Sequence, residues 1–179
     1  EYCYQTPSPM SHDVALLLGA VRLADRSFRR HHSRSWTRIL QVELPVFCLK
    51  EWRREDVASR LKSCLDYLTG DDWRFNFEKR RRQAAAVAQA HLLSAPAIPR
   101  VFVPFSHGLD SYAQCAILAN QEKVETVPVN INANRRDSGW TTLGRRGRVR
   151  SVPISSRVDE PHHSEASFRT RAFIFNLMA

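Results

Sequence analysis

One short polar stretch of the sequence has residue types and a spacing that suit phosphate binding, and it reads Ser106-His107-Gly108-Leu109-Asp110-Ser111. Gly108 lets a phosphate approach the backbone, while Ser106 and Ser111 place a hydroxyl on either side of it. Asp110 can cap a helix or bind the Mg²⁺ that accompanies a triphosphate. The pattern is S-x-G-x-D-S, which is neither a Walker loop nor a dinucleotide-binding fingerprint. The stretch therefore predicts a phosphate-binding loop of another kind.

His107 is the residue of this loop whose role stays open on sequence grounds. Its imidazole can serve as a general acid for departing pyrophosphate, or it can contact the nucleotide. A third interpretation is a tolerated substitution in a loop that has lost its activity.

The loop lies between two elements of a predicted α/β unit. Residues 101–105 before it form a short apolar run typical of a buried strand. Four residues after it recur at helical spacing, namely Tyr112, Cys115, Ala116 and Ala119. Residues 124–129 then predict a second buried strand. Since backbone N–H groups and the helix dipole favour an anion at a strand-to-helix junction, a ligand is expected there.

The loop resembles the SGGxDS loop of the N-type ATP pyrophosphatases, enzymes that adenylate a carbonyl or carboxylate oxygen and release pyrophosphate. His107 stands where that pattern has its middle glycine. Residues 167–175 resemble the arginine-containing start of a helix in the 7-cyano-7-deazaguanine synthase (QueC) branch. Four N-terminal stretches resemble the QueC-like proteins of bacterial anti-phage gene clusters, the QatC type: residues 24–26, Trp36, residues 45–46 and residues 68–75.

This resemblance implies an ATP-dependent ligase of the 7-cyano-7-deazaguanine synthase type. ATP would bind at Ser106, His107, Gly108, Leu109, Asp110 and Ser111. Mg²⁺ would bind at Asp110, and catalysis would depend on Asp110, Arg169 and Arg171, one of the arginines facing the phosphates.

The resemblance also implies a substrate and partners. The substrate would be a 7-deazaguanine-type carboxylate or amide, either a small molecule or linked to a protein, and a partner protein from the same gene cluster is expected in anti-phage defence. Zinc is implied only in a cysteine-containing segment beyond residue 179, as in the queuosine-pathway enzyme.

The N-terminal half predicts a helix followed by a strand. Apolar residues recur at helical spacing from Asp13, and Ser11 stands where an N-cap would begin that helix. Residues 40–46 then alternate between apolar and polar types, which is typical of a half-buried strand. Pro45 restricts that strand to an edge of its sheet or ends it.

A second helix and an aromatic strand follow. Residues 57–68 place one apolar stripe on a helix, which Gly70 is expected to end in the left-handed conformation. Trp73, Phe75 and Phe77 then share one face of a short strand. Such a row could stack nucleic-acid bases or pack against the preceding helix. Core packing is favoured, because no second aromatic motif accompanies the row.

Two prolines within residues 94–99 mark a boundary between two predicted domains. Residues 1–97 are predicted to form a small α+β domain. Residues 98–179 are predicted to form an α/β, N-type ATP pyrophosphatase (PP-loop) domain with a Rossmann-like (adenine nucleotide alpha hydrolase-like) parallel sheet, continuing beyond the last residue. Three elements are expected in its second half: a loop over residues 130–148, a strand over residues 149–154 and a helix over residues 168–178.

The charge balance favours an anionic partner, which can be as small as ATP. The 179 residues contain 27 Lys and Arg against 18 Asp and Glu, a formal net charge of +9. The positive residues cluster in residues 22–38, 79–82 and 135–150. These segments keep an alternative open, in which residues 135–150 and the aromatic row bind nucleic acid or the chain is a scaffold, and the altered loop is degenerate.

The cysteines and histidines predict no metal centre. The chain contains four cysteines, Cys3, Cys48, Cys64 and Cys115, and no C-x-x-C pair. Reduced thiols in a cytoplasmic protein are therefore expected, with Cys115 packing in the core rather than acting as a nucleophile. The pairs His31-His32 and His162-His163 are interpreted as surface residues, while Glu160 and Glu165 keep a metal-binding interpretation of the second pair open. No membrane partner is expected, because the longest apolar run, residues 14–21, has eight residues.

Overall fold

The computed structural model describes residues 8–31, 36–81, 99–106, 108–121, 124–132, 140–142, 148–150, 152–155 and 164–178. These residues form a mixed α/β structure. The helices are α1 (Pro9–Ser27), α2 (Leu49–Trp52), α3 (Glu55–Thr69), α4 (Leu109–Ala119) and α5 (Arg171–Met178). The strands are β1 (Ile39–Val46), β2 (Asp72–Lys79), β3 (Arg100–Pro104), β4 (Glu125–Asn132), β5 (Trp140–Thr142), β6 (Arg148–Arg150) and β7 (Val152–Ser155).

The chain divides into two compact units. The first unit consists of residues 6–89 together with residues 158–177, and the second consists of residues 90–157 with both chain ends. The predicted boundary at residues 97/98 assigned the C-terminal segment to the second domain. In the structure that segment belongs to the first unit, because residues 164–170 form hydrogen bonds with the end of α1.

The first unit is built on β1 and β2, which pair in parallel with Leu40 opposite Trp73 and Leu44 opposite Phe77. A parallel pair requires a crossover connection, and α2 with α3 supplies it. This βαβ arrangement differs from the α+β domain predicted for the N-terminal half. Helix α1 packs against β1, and α2 and α3 pack against β2.

The aromatic row of β2 lies in the core. Trp73 is fully buried and Phe77 is 5% exposed, while Phe75 between them is half-buried. The buried residues of β1 alternate along the strand, and three of them lie directly opposite this row: Leu40, Val42 and Leu44. The favoured interpretation of the row as core packing is therefore confirmed.

Pro45 is accommodated inside β1 without ending it. The Arg80 N–H donates to the Val46 carbonyl at 2.9 Å, so the backbone groups of even-numbered residues in β1 face β2. Pro45 faces the other way, and its missing N–H lies on the open edge of the strand.

The ends of α1 and α3 follow simple capping rules. Helix α1 begins with Pro9 after the N-cap Ser8, whose hydroxyl accepts the Ser11 N–H at 3.1 Å. Ser11 was the predicted N-cap and instead lies within the first turn. Gly70 ends α3 as predicted, with φ of 71° and its N–H donating to the Asp66 carbonyl.

The second unit contains a three-stranded parallel sheet in the order β3-β4-β7, and α4 connects β3 to β4. The predicted strand–loop–helix–strand order is confirmed. Pro128 lies in the central strand, one residue before pairing with β7 begins at Val129. The Glu125 N–H and the Val129 carbonyl both form hydrogen bonds towards β3, so the backbone groups of even-numbered residues in β4 face β7. The nitrogen of Pro128, which has no proton to donate, therefore lies on the β7 side, at a position before pairing with β7 begins.

The segment after β4 differs from its prediction. The predicted loop over residues 130–148 contains the end of β4 and also β5, which pairs antiparallel with β6. The single strand predicted over residues 149–154 is divided into β6 and β7, which belong to different sheets. Periodicity could not separate them, because a strand of three or four residues is shorter than the window over which alternation is recognised. Among the described helices, none is long and apolar enough to cross a membrane.

Candidate nucleotide-binding loop

The candidate loop begins where β3 ends. The Phe105 N–H donates to the Val129 carbonyl at 2.7 Å and extends the sheet by one residue beyond Pro104. Ser106 follows and is exposed, and α4 begins at Leu109. The loop therefore lies at the carboxyl end of a parallel strand and at the N-terminus of a helix, the position where open α/β sheets bind ligands.

Two serine hydroxyls converge in the loop. The Ser111 hydroxyl accepts the Ser106 N–H at 3.2 Å and donates to the Gly108 carbonyl at 2.9 Å. The two hydroxyl oxygens are 3.3 Å apart. Because Ser111 bonds to both ends of the turn, it holds the loop in a compact form and keeps the hydroxyl of Ser106 beside its own.

Gly108 is required neither by its backbone conformation nor by steric contact in this structure, and it leaves the helix end uncovered. It is the N-cap of α4 with φ of −82°, a value open to any residue, and its position has no side chain to cap the helix. A Cβ at this position would lie 3.4 Å from the Ser106 hydroxyl oxygen. The first turn of α4 therefore meets solvent beside the serine pair, with Leu109 82% exposed and Asp110 also exposed.

A small apolar cluster packs between β3 and α4, the two elements that the loop connects. Val103, Phe105 and Cys115 are buried together, and Tyr112 and Leu118 pack against them. Burial raises the pKa of the Cys115 thiol to about 11, so the thiolate is scarce at neutral pH. The cysteine thus serves packing, in agreement with its interpretation from sequence.

The residues present fit a magnesium ion that arrives with a nucleotide. Mg²⁺ is commonly held by one or two carboxylates together with substrate phosphates and water. Asp110 offers one exposed carboxylate in the first turn of α4. Within the described ranges no three His, Cys, Asp or Glu side chains lie together as a metal site.

Five of the six residues predicted to bind ATP lie together in the short connection after β3 and the first turn of α4. They are Ser106, Gly108, Leu109, Asp110 and Ser111. His107 lies outside the described residues. The two arginines assigned to catalysis, Arg169 and Arg171, belong to the first unit rather than to the unit of the loop. Their assignment to the phosphates stays a prediction.

Arg169 and Arg171 have partners within the first unit. Arg169 donates to the Thr69 carbonyl at 3.1 Å, and its guanidinium lies 4.8 Å from the ring centroid of Trp36. Arg171 is exposed, with its guanidinium 5.2 Å from the ring centroid of Phe175.

Sequence reasoning missed a buried cluster of charges in the first unit. Asp71 accepts hydrogen bonds from the guanidinium groups of Arg30 and Arg38, and Arg38 also binds Asp25 at 2.8 Å. All four side chains are less than 10% exposed. Burial lowers the pKa of Arg30, with Arg38 contributing, whereas the bonds to Asp71 and Asp25 outweigh burial and raise the pKa of Arg38.

One signal for this cluster was present in the sequence. Asp13, Leu17, Val21 and Asp25 are spaced by four residues and form one buried stripe of α1. An acidic residue at each end of an apolar helical stripe predicts a buried carboxylate that needs hydrogen-bond donors. The signal was present, but the donors of Asp25, which are Arg38 and Thr170, lie outside the helix, and no local pattern identifies them.

The charge cluster also changes the interpretation of the basic segment 22–38. Arg30 and Arg38 are buried in ion pairs, and Arg26 donates to the carbonyls of Ala166 and Ser167. These arginines are thus engaged in holding the first unit.

The sequence has no significant match to a protein-family model, to a curated protein or to a solved structure. The resemblance to the N-type ATP pyrophosphatases therefore rests on the residues of this chain alone.

Proposed function

We propose that the loop from Ser106 to Ser111 binds the phosphates of ATP and that the protein is an adenylating enzyme releasing pyrophosphate. One observation carries the proposal: the hydroxyls of Ser106 and Ser111, 3.3 Å apart, stand beside the exposed first turn of α4 at the carboxyl end of β3. The Ser106 hydroxyl, the helix N–H groups and the helix dipole all favour a polyphosphate there.

In the proposed reaction, an oxygen of the substrate's carboxylate or amide attacks the α-phosphorus of ATP. The new P–O bond forms as the bond to the β-phosphate bridging oxygen breaks, and pyrophosphate leaves with that electron pair. Bound Mg²⁺ would neutralise charge on the phosphates, with Asp110 as its carboxylate ligand. The loop contributes by holding the phosphates in position and donating hydrogen bonds to them.

The class of substrate is part of the proposal and is carried over from the resemblance. It is a 7-deazaguanine-type carboxylate or amide, free or linked to a protein, with a partner protein in anti-phage defence. A cytoplasmic location goes with it. A Rossmann-like, PP-loop architecture for the second unit is likewise proposed, on the three parallel strands and the position of α4.

The test is calorimetric titration of Mg·ATP into the wild-type chain and into Ser111→Ala and Asp110→Asn. Ser111→Ala removes the hydroxyl that bonds to both the Ser106 N–H and the Gly108 carbonyl, and two such hydrogen bonds contribute about 1–3 kcal/mol together, so the loosened loop should bind roughly 10- to 100-fold more weakly. Asp110→Asn keeps the side-chain shape and should weaken binding chiefly in the presence of Mg²⁺. Gln114→Ala, at an exposed position of the same helix, is the control and should bind like wild type.

The products decide the reaction class. Chromatography after incubation with ATP and a 7-deazaguanine-type carboxylate should show pyrophosphate and, once the adenylate is hydrolysed, AMP, because the α-phosphate stays on the adenosine. Accumulation of ADP would instead indicate transfer of the γ-phosphate. No binding by a folded wild-type chain, or equal binding by all variants, would refute the proposal and favour the scaffold or nucleic-acid alternative.

A further inference from the structure

Residues 164–170, here named the strap, lie against the C-terminal end of α1. The Arg26 carbonyl accepts the N–H groups of Ser164 and Glu165, both at 2.9 Å. The Arg26 guanidinium donates to the Ala166 carbonyl at 2.9 Å and to the Ser167 carbonyl at 3.3 Å. A single residue of α1 therefore holds backbone groups of four consecutive strap residues.

Two carboxylates fasten the strap, one from each side. Asp25 of α1 accepts the Thr170 N–H at 3.1 Å and the Thr170 hydroxyl at 2.9 Å. In the opposite direction, Glu165 of the strap accepts the Arg30 N–H at 2.8 Å. Both acids are buried, Asp25 fully and Glu165 with 9% exposed, so each bond is shielded from water.

The described part of residues 8–81 has internal contacts of its own apart from the strap. The apolar core of β1, β2 and the helices that cover them lies within these residues, with Leu17, Leu65 and Trp73 at 1% exposed or less. The charge cluster is also internal, since Arg38 and Arg30 both bind Asp71. Lifting the strap would leave these contacts in place.

We propose that the strap forms a latch, a segment that opens while residues 8–81 and α5 stay folded, since α5 has buried apolar side chains of its own, Phe173, Ile174 and Phe175. The bonds that hold the strap are polar and water can replace them, and their net contribution is small compared with burial of an apolar core. The proposal does not depend on ATP binding.

Hydrogen exchange of the full chain, followed by mass spectrometry, tests the latch. Peptides covering residues 164–170 should exchange at least 10-fold faster than peptides covering β1, α3 and β2. Thr170→Val, which removes one bond to Asp25 and keeps the side-chain shape, should accelerate exchange of the strap a further 3- to 10-fold. The same variant should leave β2 unchanged.

Two controls make the outcome decisive. Ser63→Ala, at an exposed position of α3, should alter neither region. Glu165→Gln should reproduce the effect of Thr170→Val, because it weakens the other fastening. Equal protection of the strap and β2 in wild type, or equal acceleration of both in Thr170→Val and Glu165→Gln, would mean that the segment opens only with global unfolding and would overturn the proposal.

Discussion

At the scale of single residues, three buried acids organise the first unit. Asp13 accepts the N–H groups of Phe47 and Cys48, both at 2.8 Å, and the indole N–H of Trp52 at 3.1 Å. Asp25 and Asp71 have arginine partners instead. A buried carboxylate costs stability unless donors surround it, so each of these acids fixes the elements that supply its donors.

Asp71 and its neighbour Asp72 offer a matched pair for testing the charge cluster. Asp71→Ala leaves the buried guanidinium groups of Arg30 and Arg38 without a shared carboxylate, and removal of one partner of a buried ion pair costs about 3–5 kcal/mol. Asp72 is 32% exposed and pairs with Lys62 and Arg74 at the surface, so Asp72→Ala should cost at most about 1 kcal/mol. Urea unfolding followed by circular dichroism measures both.

The comparison has a clear negative outcome. If the two substitutions lowered the free energy of unfolding equally, the cluster would contribute no more than a surface ion pair. If Asp71→Ala fails to fold, Asp71→Asn takes its place, because asparagine retains one acceptor oxygen. Asp71→Asn should fold, with a free energy of unfolding lower than that of Asp72→Ala or of wild type.

At the scale of elements, local pattern predicted the helices and strands well where a stripe of apolar residues is long. The stripe of α3 and its stop at Gly70 were predicted, and so were β2 and the β3–α4–β4 order. Pairing direction was harder, because it depends on contacts between residues far apart in sequence. To predict the parallel pairing of β1 with β2, one must know that residues 47–71 form a crossover connection. Local periodicity does not contain that information.

For the candidate site, too, the contiguous parts could be predicted from the sequence and the long-range contacts could not. The loop was recognised because its residues are contiguous and its neighbours are periodic. The strap was not recognised, since its fastenings join residues 135 to 145 positions apart. The resemblance named Arg169, whose contacts with Thr69 and Trp36 depend on folding of the first unit and on no local signal.

Two glycines give predictions of opposite sign for helix elements. Gly70 ends α3 with φ of 71°, so Gly70→Ala forces an alanine into the left-handed region and should cost about 1 kcal/mol. Gly19 lies inside α1, where a Cβ would meet nothing within 4 Å, so Gly19→Ala should stabilise by roughly 0.5–1 kcal/mol. Thermal unfolding of the two variants should shift in opposite directions, and a shift of the same sign would contradict the backbone argument.

At the scale of the whole molecule, the C-terminal segment completes a unit that the N-terminal residues begin. Residues 90–157 are inserted between the two parts of the first unit. Ordering the strap therefore closes a long chain loop, and the entropy of that closure opposes every bond that the strap makes. The hydrogen bonds to Asp25, Arg26 and Arg30 must exceed this cost for the segment to be docked.

Glu165 makes docking of the strap dependent on pH. Burial opposes its charge, but the N–H groups of Arg30 and Ser167 and the Ser167 hydroxyl outweigh burial and lower the pKa of Glu165 from 4.5 to about 2. Its contribution to stability is complete above pH 4.5 and declines as the pH falls towards 2. The shift corresponds to at most about 3 kcal/mol, and competition with water reduces the contribution to roughly 2 kcal/mol.

The difference in stability between wild type and Glu165→Gln isolates this contribution, because the other acids titrate equally in both chains. Urea unfolding should show wild type more stable by roughly 2 kcal/mol at pH 7, by about half as much near pH 3 and by little at pH 2. Glu43→Gln, at an exposed position of β1, is the control and should show a small difference at every pH. A difference between wild type and Glu165→Gln that is constant from pH 7 to pH 2 would show that the glutamate acts by shape and not by charge, since only the ionised form accepts all three hydrogen bonds without a proton of its own.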